Sequence, residues 1–176
     1  MSKLERLTHI CLIIVCLVSS GLLLEHRFRP AAQIRNHEAF ESAPDPEALI
    51  GTHLTVRGIN WRSSRINAVL FINTHCRFCA ESAPFYRKIA DALHDHPTGV
   101  TISVLSTEPT GDMRSFLAQE HIGVNGVYQV STDIGLRVTP TLLIADDHGI
   151  VRRAFIGELN LSRQAKVLDI VQTGAR

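Results

Sequence analysis

What the sequence has little of narrows its reading first. Its 18 basic and 17 acidic residues leave a formal net charge of +1. The imbalance that marks a nucleic-acid partner is therefore missing. No internal repeat and no low-complexity tract runs through the chain, which sets aside solenoids and repetitive disordered arrays. Cysteines number only four. Cys11 and Cys16 fall inside an N-terminal apolar run, where they read as small packing residues. Cys76 and Cys79 remain, too few to supply four zinc ligands by themselves. Neither a metal nor a cofactor is expected.

With 176 residues there is room for one globular domain and extra segments. Residues 7–24 are apolar apart from Thr8, His9, Ser19, Ser20 and Gly21, the short end of what spans a bilayer as a helix. Lys3 and Arg6 precede this run and Arg27 and Arg29 follow it, so the flanking charge orients it only weakly. Two readings stand. Ser19-Ser20-Gly21 after the apolar residues 10–18 fits a signal cleavage site, whereas Leu22-Leu23-Leu24 prolongs the run as an anchor does. The anchor is the preferred reading, and both place the remainder outside the cytosol. Residues 1–24 are thus read as a transmembrane anchor, 25–50 as a linker interrupted by Pro44-Asp45-Pro46, and 51–176 as the folded domain.

Within that domain, Leu54-Thr55-Val56 is a short strand candidate. Residues 66–73 are nearly continuously apolar, as in a strand buried on both faces. Phe85, Ile89, Ala92 and Leu93 recur at helical spacing over residues 79–94, and residues 95–99 stop that helix. A second buried strand follows over 100–105, then a helix over 112–120 and a short helical turn over 131–137. Residues 141–145 and 150–156 form a hairpin about the turn Asp146-Asp147-His148-Gly149, and 161–171 close as an amphipathic helix. The order β, βαβ, α, ββα implies an α/β domain. A parallel pair with a right-handed crossover and a late antiparallel hairpin share one mixed sheet, with helices expected on both faces.

Cys76-Arg77-Phe78-Cys79 falls where the first long strand gives way to a helix. Unpaired backbone N–H groups and the macrodipole at a helix N-terminus favour Cys76 as the thiolate. Cys79, one turn along, is expected to be more buried and to attack a mixed disulfide formed by Cys76. Further on, Pro140 stands directly before a buried strand, an awkward place for a residue that cannot donate to the ladder. A cis Thr139–Pro140 bond accounts for it.

Strand, C-x-x-C and helix, followed by T-P-T before an apolar strand and a D-x-x-G hairpin, together resemble the thioredoxin superfamily over residues 51–173. The N-terminal anchor and the run V-T-P-T-L-L-I-A-D-D-H-G-I-V are most similar to its exported TlpA-like branch, which includes membrane-anchored reductases of cytochrome c maturation. The resemblance implies a thioredoxin fold behind an N-terminal transmembrane helix, with Cys76 attacking, Cys79 resolving and cis-Pro140 beside them. Thr139, Pro140 and Phe78 are then the candidate substrate-binding residues, and Pro84 matches the proline that kinks the family's active-site helix. It further implies a protein thiol–disulfide oxidoreductase on the extracytoplasmic (periplasmic) side of the cell membrane, working as a reductase. Its partners would be exported protein thiols and disulfides and a membrane electron donor or acceptor. Secretion after signal cleavage is the alternative placement.

The chain departs from the family at several positions. His75 replaces the usual tryptophan, Arg77-Phe78 lacks the frequent proline, and Ser82 stands where the reductases often carry glutamate, with Glu81 one residue early. Arg77 and His75 are candidate modulators. A cation near Cys76 stabilises the reduced form and raises the reduction potential; His75 fits a proton donor, a substrate contact or a plain polar loop residue. Phe78 offers substrate an apolar surface or covers the disulfide. Trp61 reads equally as core or groove, and His94 and His96 as partners of a helix C-terminus. The rival function is a membrane-anchored copper-binding assembly factor of thioredoxin fold. Such proteins resemble C-x-x-x-C with a distant histidine, and the spacing here is two. For a peroxidase, Thr74 lies too close to Cys76 to match T-x-x-C.

Overall fold

The computed structural model describes residues 45–95 and 99–174. The apolar run at 7–24, Cys11, Cys16, most of the linker and His96 lie outside the described residues. Among the described residues no helix is long and apolar enough to cross a membrane.

Strand β1 (Ile66–Phe71) is buried along its whole length, and the fold is built outward from it. Its alternation sends Ile66, Ala68 and Leu70 to one face and Val69 and Phe71 to the other, as the period of two in a strand requires. Each large aliphatic side chain buried there contributes about 1.5–3 kcal/mol relative to exposure. β2 (Val100–Ser106) runs parallel on one side of β1, pairing from Ile66 with Val100 to Phe71 with Leu105. β4 (Thr141–Asp146) runs antiparallel on the other side and carries β5 (Val151–Ile156) at the edge. A further strand, β3 (Gly126–Gln129), lies parallel to β2 and completes the five-stranded order β3-β2-β1-β4-β5 among the described residues.

The helices are α1 (Pro46–Leu49), α2 (Arg77–Asp95), α3 (Thr110–Gln119) and α4 (Leu161–Thr173). Ala83, Phe85 and Ile89 of α2, Met113 and Leu117 of α3 and Val167 and Ile170 of α4 join the same buried cluster as Ala68 and Leu70. Helices were expected on both faces; instead, the cluster around Val69 and Phe71 is closed by Leu54, Val56, Leu136 and the partly buried Leu49, Ile59 and Trp61. The short helix α1, a 3₁₀ turn and irregular chain cover that face.

Other differences are local. Pro46–Leu49 lies within the segment read as linker, yet forms a helix capped by the Asp45 side chain, which accepts from the Glu47 amide at 2.9 Å. Pro46 is suited to the first helical position, where its missing N–H is no loss. Leu54 and Val56 alternate as a strand would, but this stretch makes only the isolated bridge His53–Ile150. The helical turn expected at 131–137 is a series of turns and bends, with Gly135 at φ 82°. Trp61 opens a 3₁₀ turn, Trp61–Ser63, and packs over Gly149, where a Cβ would come within 2.9 Å of the indole. Two buried polar side chains hold this end of the sheet. Asn67 Nδ2 donates to the carbonyls of Trp61 (3.1 Å) and Asp146 (3.0 Å), and its Oδ1 accepts from Thr101 (3.0 Å).

Asp146 is 4 % exposed and closes the β4–β5 turn. Its Oδ1 accepts from the amides of His148 (2.9 Å) and Ile150 (3.0 Å), and its Oδ2 from both Nε (2.9 Å) and a terminal nitrogen (2.7 Å) of Arg152. Burial pushes this carboxyl up, but the turn amides and Arg152 outweigh it and hold it below the usual range. A carboxyl lowered on folding stabilises the protein above its unfolded value, about 3.9, and that stabilisation is lost as pH falls through the lowered folded value. Asp146→Ala is therefore expected to cost about 2–4 kcal/mol near neutrality. In urea titrations across pH, the gap between the two proteins should narrow below about pH 4. A gap independent of pH would detach the charge from the effect.

Candidate active site

After β1 the chain turns sharply into α2. The Asn73 side chain accepts from the His75 amide at 2.9 Å, and the Asn73 carbonyl from the Cys76 amide at 3.2 Å. The Cys76 carbonyl then takes the first helical bonds, from the amides of Cys79 (3.0 Å) and Ala80 (3.2 Å). Cys76 thus occupies the N-cap position of α2. Its sulfur accepts from the Cys79 amide at 3.3 Å, the bond that a serine or aspartate oxygen makes at ordinary helix starts. The same Sγ lies 3.5 Å from the Thr139 carbonyl, to which the thiol donates.

The two thiols differ sharply in access. Cys76 is half-buried, Cys79 is fully buried in the helix-covered core, and both are free. Burial, followed by the neighbouring Cys76, pushes the Cys79 thiol up to about 12. Thr139 meets Cys76 through its carbonyl from the loop before β4, and Pro140 follows it, buried. Their peptide bond is cis, Thr141 Oγ1 donates to the Val138 carbonyl at 2.7 Å, and the Gly157 amide donates to the Pro140 carbonyl at 2.8 Å. Phe78 is 47 % exposed beside Cys79 in sequence, an apolar surface open to solvent. Pro84 lies inside α2.

Arg77 is exposed and has a partner of its own. Its Nε donates to Glu81 Oε1 at 2.7 Å, one turn along the exposed face of α2, so its charge is set against a carboxylate. Ser82 is buried. Its hydroxyl lies near Tyr86 but meets no partner in full hydrogen-bond geometry among the described residues. Neither position brings a carboxylate to Cys79. Burial raises the Tyr86 phenol as well.

Glu108, in the loop after β2, escaped the sequence reading. Its Oε2 accepts from the Thr74 amide (2.8 Å), and its Oε1 from Thr74 Oγ1 (3.1 Å) and His75 Nδ1 (3.0 Å). Partial burial pushes this carboxyl up, yet the bonds from His75 and Thr74 hold it below its ordinary range. A sequence signal existed. Glu108 follows the second buried strand, and sites in open α/β sheets gather beyond the carboxyl ends of neighbouring strands. Trp61 lies partly buried over the far end of the sheet, and His94 is exposed in the last turn of α2. Among the described residues, the one cluster with metal-ligand spacing is Asp146, Asp147 and His148. It sits at the opposite end of β4 from Thr141, and Asp146 is already held by Arg152.

With a pKa near 12, Cys79 is thiolate in only about one molecule in 10⁵ at pH 7. Limited iodoacetamide treatment of the reduced protein at neutral pH is expected to label Cys76 alone. Peptide mapping that found Cys79 labelled as fast as Cys76 would contradict the assigned difference in access.

No protein-family model matches the chain, and no curated protein matches it significantly. Solved structures do. The thioredoxin domain of a thiol-disulfide oxidoreductase from Bacteroides vulgatus superposes with a TM-score of 0.52 at 17% identity, over 68% of this chain and 95% of that one. A thiol:disulfide interchange protein of the thioredoxin family from Chlorobium tepidum gives 0.51 at 17% identity, over 64% and 80%. A thiol:disulfide interchange protein from a Bacteroides species gives 0.50 at 20% identity, over 64% and 77%. Together with the sheet order and the helices packed on it, these likenesses show that the chain has the thioredoxin fold.

Proposed function

We propose that the chain is a protein thiol–disulfide oxidoreductase of the extracytoplasmic side of the membrane, with Cys76 as attacking and Cys79 as resolving thiol. The observation that carries the reading is the pairing of a half-exposed sulfur at the start of α2 with a fully buried one a turn below. The exposed sulfur can meet a partner's disulfide. The Cys79 amide donates to it at the start of the helix, and the Thr139 carbonyl lies beside it. The buried thiol is reached only from within, so it serves to release a mixed disulfide rather than to form one. That the comparison structures are described as oxidoreductases and interchange proteins of the same fold supports the reaction class.

In the reducing direction, the Cys76 thiolate attacks a partner disulfide and expels one of its sulfurs. Cys79 then loses its proton and attacks Cys76, releasing the second partner sulfur and leaving the Cys76–Cys79 disulfide. Two electrons and two protons pass to the partner. Attachment through the apolar run at 7–24, and a membrane electron donor that restores the dithiol, complete the proposal. The role as a reductase, with cytochrome c maturation as its setting, rests on the resemblance to the TlpA-like branch. Pairing of Arg77 with Glu81 favours it too, because it sets the exposed guanidinium against a carboxylate and leaves little net charge to favour the reduced form.

Cys79→Ser is expected to trap Cys76 with a partner in a mixed disulfide on non-reducing gels, whereas Cys76→Ser traps nothing. The reverse pattern would overturn the division of labour. Direction is tested by equilibration with glutathione. A potential near that of thioredoxin, about −270 mV, supports the reductase, and one near about −120 mV, as for strong oxidants, would end that part of the proposal.

A further inference from the structure

The hydrogen-bonded pair of His75 and Glu108 stands beside the thiols but has no part in the exchange described so far. Glu108 is fixed from both sides. Its amide donates to Ser106 Oγ at 3.1 Å, at the buried end of β2, and its side chain is 15% exposed. Both carboxylate oxygens reach across to the loop that leads into Cys76. Thr74 alone, through its amide and its hydroxyl, pins that loop to Glu108 at 2.8 and 3.1 Å. His75 adds nothing the loop needs.

What the third bond does is orient a ring. His75 has a side chain 91% exposed, yet its Nδ1 is held 3.0 Å from Glu108 Oε1 and 3.0 Å from Thr74 Oγ1. A carboxylate accepts and does not donate, so Nδ1 carries a hydrogen. Nε2 is then the nitrogen left to exchange protons, on a ring open to solvent one residue before the attacking cysteine. An exposed imidazole tied down in this way loses side-chain freedom without gaining burial, and the arrangement makes chemical sense if its free nitrogen has a task.

We propose that Glu108 is a positioning residue that holds His75 as the proton donor to the thiolate leaving a partner's disulfide. The inference rests on the thiol–disulfide reading and deepens it. The Cys76 thiolate forms a bond to the nearer partner sulfur, the partner S–S bond breaks, and its electron pair goes to the farther sulfur. That sulfur takes the proton from Nε2 of the imidazolium. The ring is left neutral with its Nδ1 hydrogen still donated to Glu108, and the proton given up earlier by the Cys76 thiol balances the step. Disulfides between aliphatic cysteines, whose leaving thiolates are basic, gain most from such a donor; those with weakly basic leaving thiolates depart unaided. The inference therefore names the partner class as ordinary cysteine disulfides of proteins.

The test varies the leaving group. The reduced full-length protein is mixed in single turnover with hydroxyethyl disulfide, which is aliphatic, and with dithiobis(nitrobenzoate), whose aromatic thiolate needs no proton. H75Q and E108Q are expected to slow the aliphatic reaction by roughly tenfold or more, since positioned general acids contribute about 10²–10⁴-fold, and the aromatic reaction by less than about twofold. T74A removes the hydroxyl's bonds to Glu108 and to the ring but keeps the bond between Glu108 and His75, so the loss it causes through the loop should fall on both reactions equally. Equal slowing of both disulfides by H75Q, or no slowing of either, would overturn the donor role; H75Q changes an exposed side chain and leaves the core untouched. A wild-type protein that reacts with neither disulfide would instead overturn the exchange reading beneath it.

Discussion

The amide of Cys79 donating to the sulfur of Cys76 joins two needs that proteins ordinarily meet with different residues. A helix start leaves N–H groups without partners, and a thiol that must react as an anion requires donors close by. Here the Cys76 sulfur, the reactive atom of the proposal, is itself the helix cap. The position of Cys76 then fixes much else. Its carbonyl must begin α2, Cys79 must fall a turn later on the inward face, and the chain before it must turn within three residues of Ile72. Burial of Cys79 follows from helix periodicity, because the positions that share its face, Ser82, Ala83 and Tyr86, belong to the interior.

The parallel pairing of β1 and β2 supplies the rest of the setting. With Phe71 opposite Leu105, the carboxyl ends of both strands stop side by side, so the loops that follow them meet. That is why Glu108 reaches Thr74 and His75 although it lies 34 and 33 residues further along the chain. The antiparallel neighbour acts in the opposite sense. β4 begins where β1 ends, with Thr141 opposite Phe71, and delivers the Thr139–Pro140 loop to the same edge. Three segments distant in sequence converge on one edge of the sheet because one central strand sets the register for its two neighbours.

Much of this was legible from residues alone, and what was not has a physical reason. The run at 66–73 could be read, to within two residues of the strand's end, because a strand buried on both faces needs no help from pattern; the helix start at Cys76 and the cis bond at Pro140 could be read because each has few alternatives in its context. β3 was missed: its four residues run from a glycine to an exposed glutamine, and only the backbone of Ser103–Ser106 makes them a strand. Leu54 and Val56 misled in the opposite direction. Both are buried about an exposed Thr55, so the period of two was real, but the pairing of this stretch with the start of β5 ends after a few backbone bonds and one bridge. Glu108 was invisible because an ion pair across two loops leaves no mark on local sequence. The segment at 7–24 lies outside the described residues, and the membrane anchor stays a reading of sequence.

The site's electrostatics also differ from what the order of residues invites. Arg77 between two cysteines suggests a cation acting on them, yet the geometry of an α-helix offers it a nearer partner at the i+4 position, and Glu81 takes it. Glu81 is in turn withheld from Cys79, and Ser82, on the inward face, is neutral. The charged side chains with short bonds around this pair therefore divide into Arg77–Glu81 on the helix surface and His75–Glu108 on the loop side. The first is a self-contained surface pair that water and salt screen. The second is anchored to the buried end of β2 and holds a ring at the rim. What acts directly on Cys76 is then backbone, the Cys79 amide and the Thr139 carbonyl, together with the terminus of α2. A fold that places backbone dipoles this way keeps the surroundings of this sulfur largely independent of surface side chains.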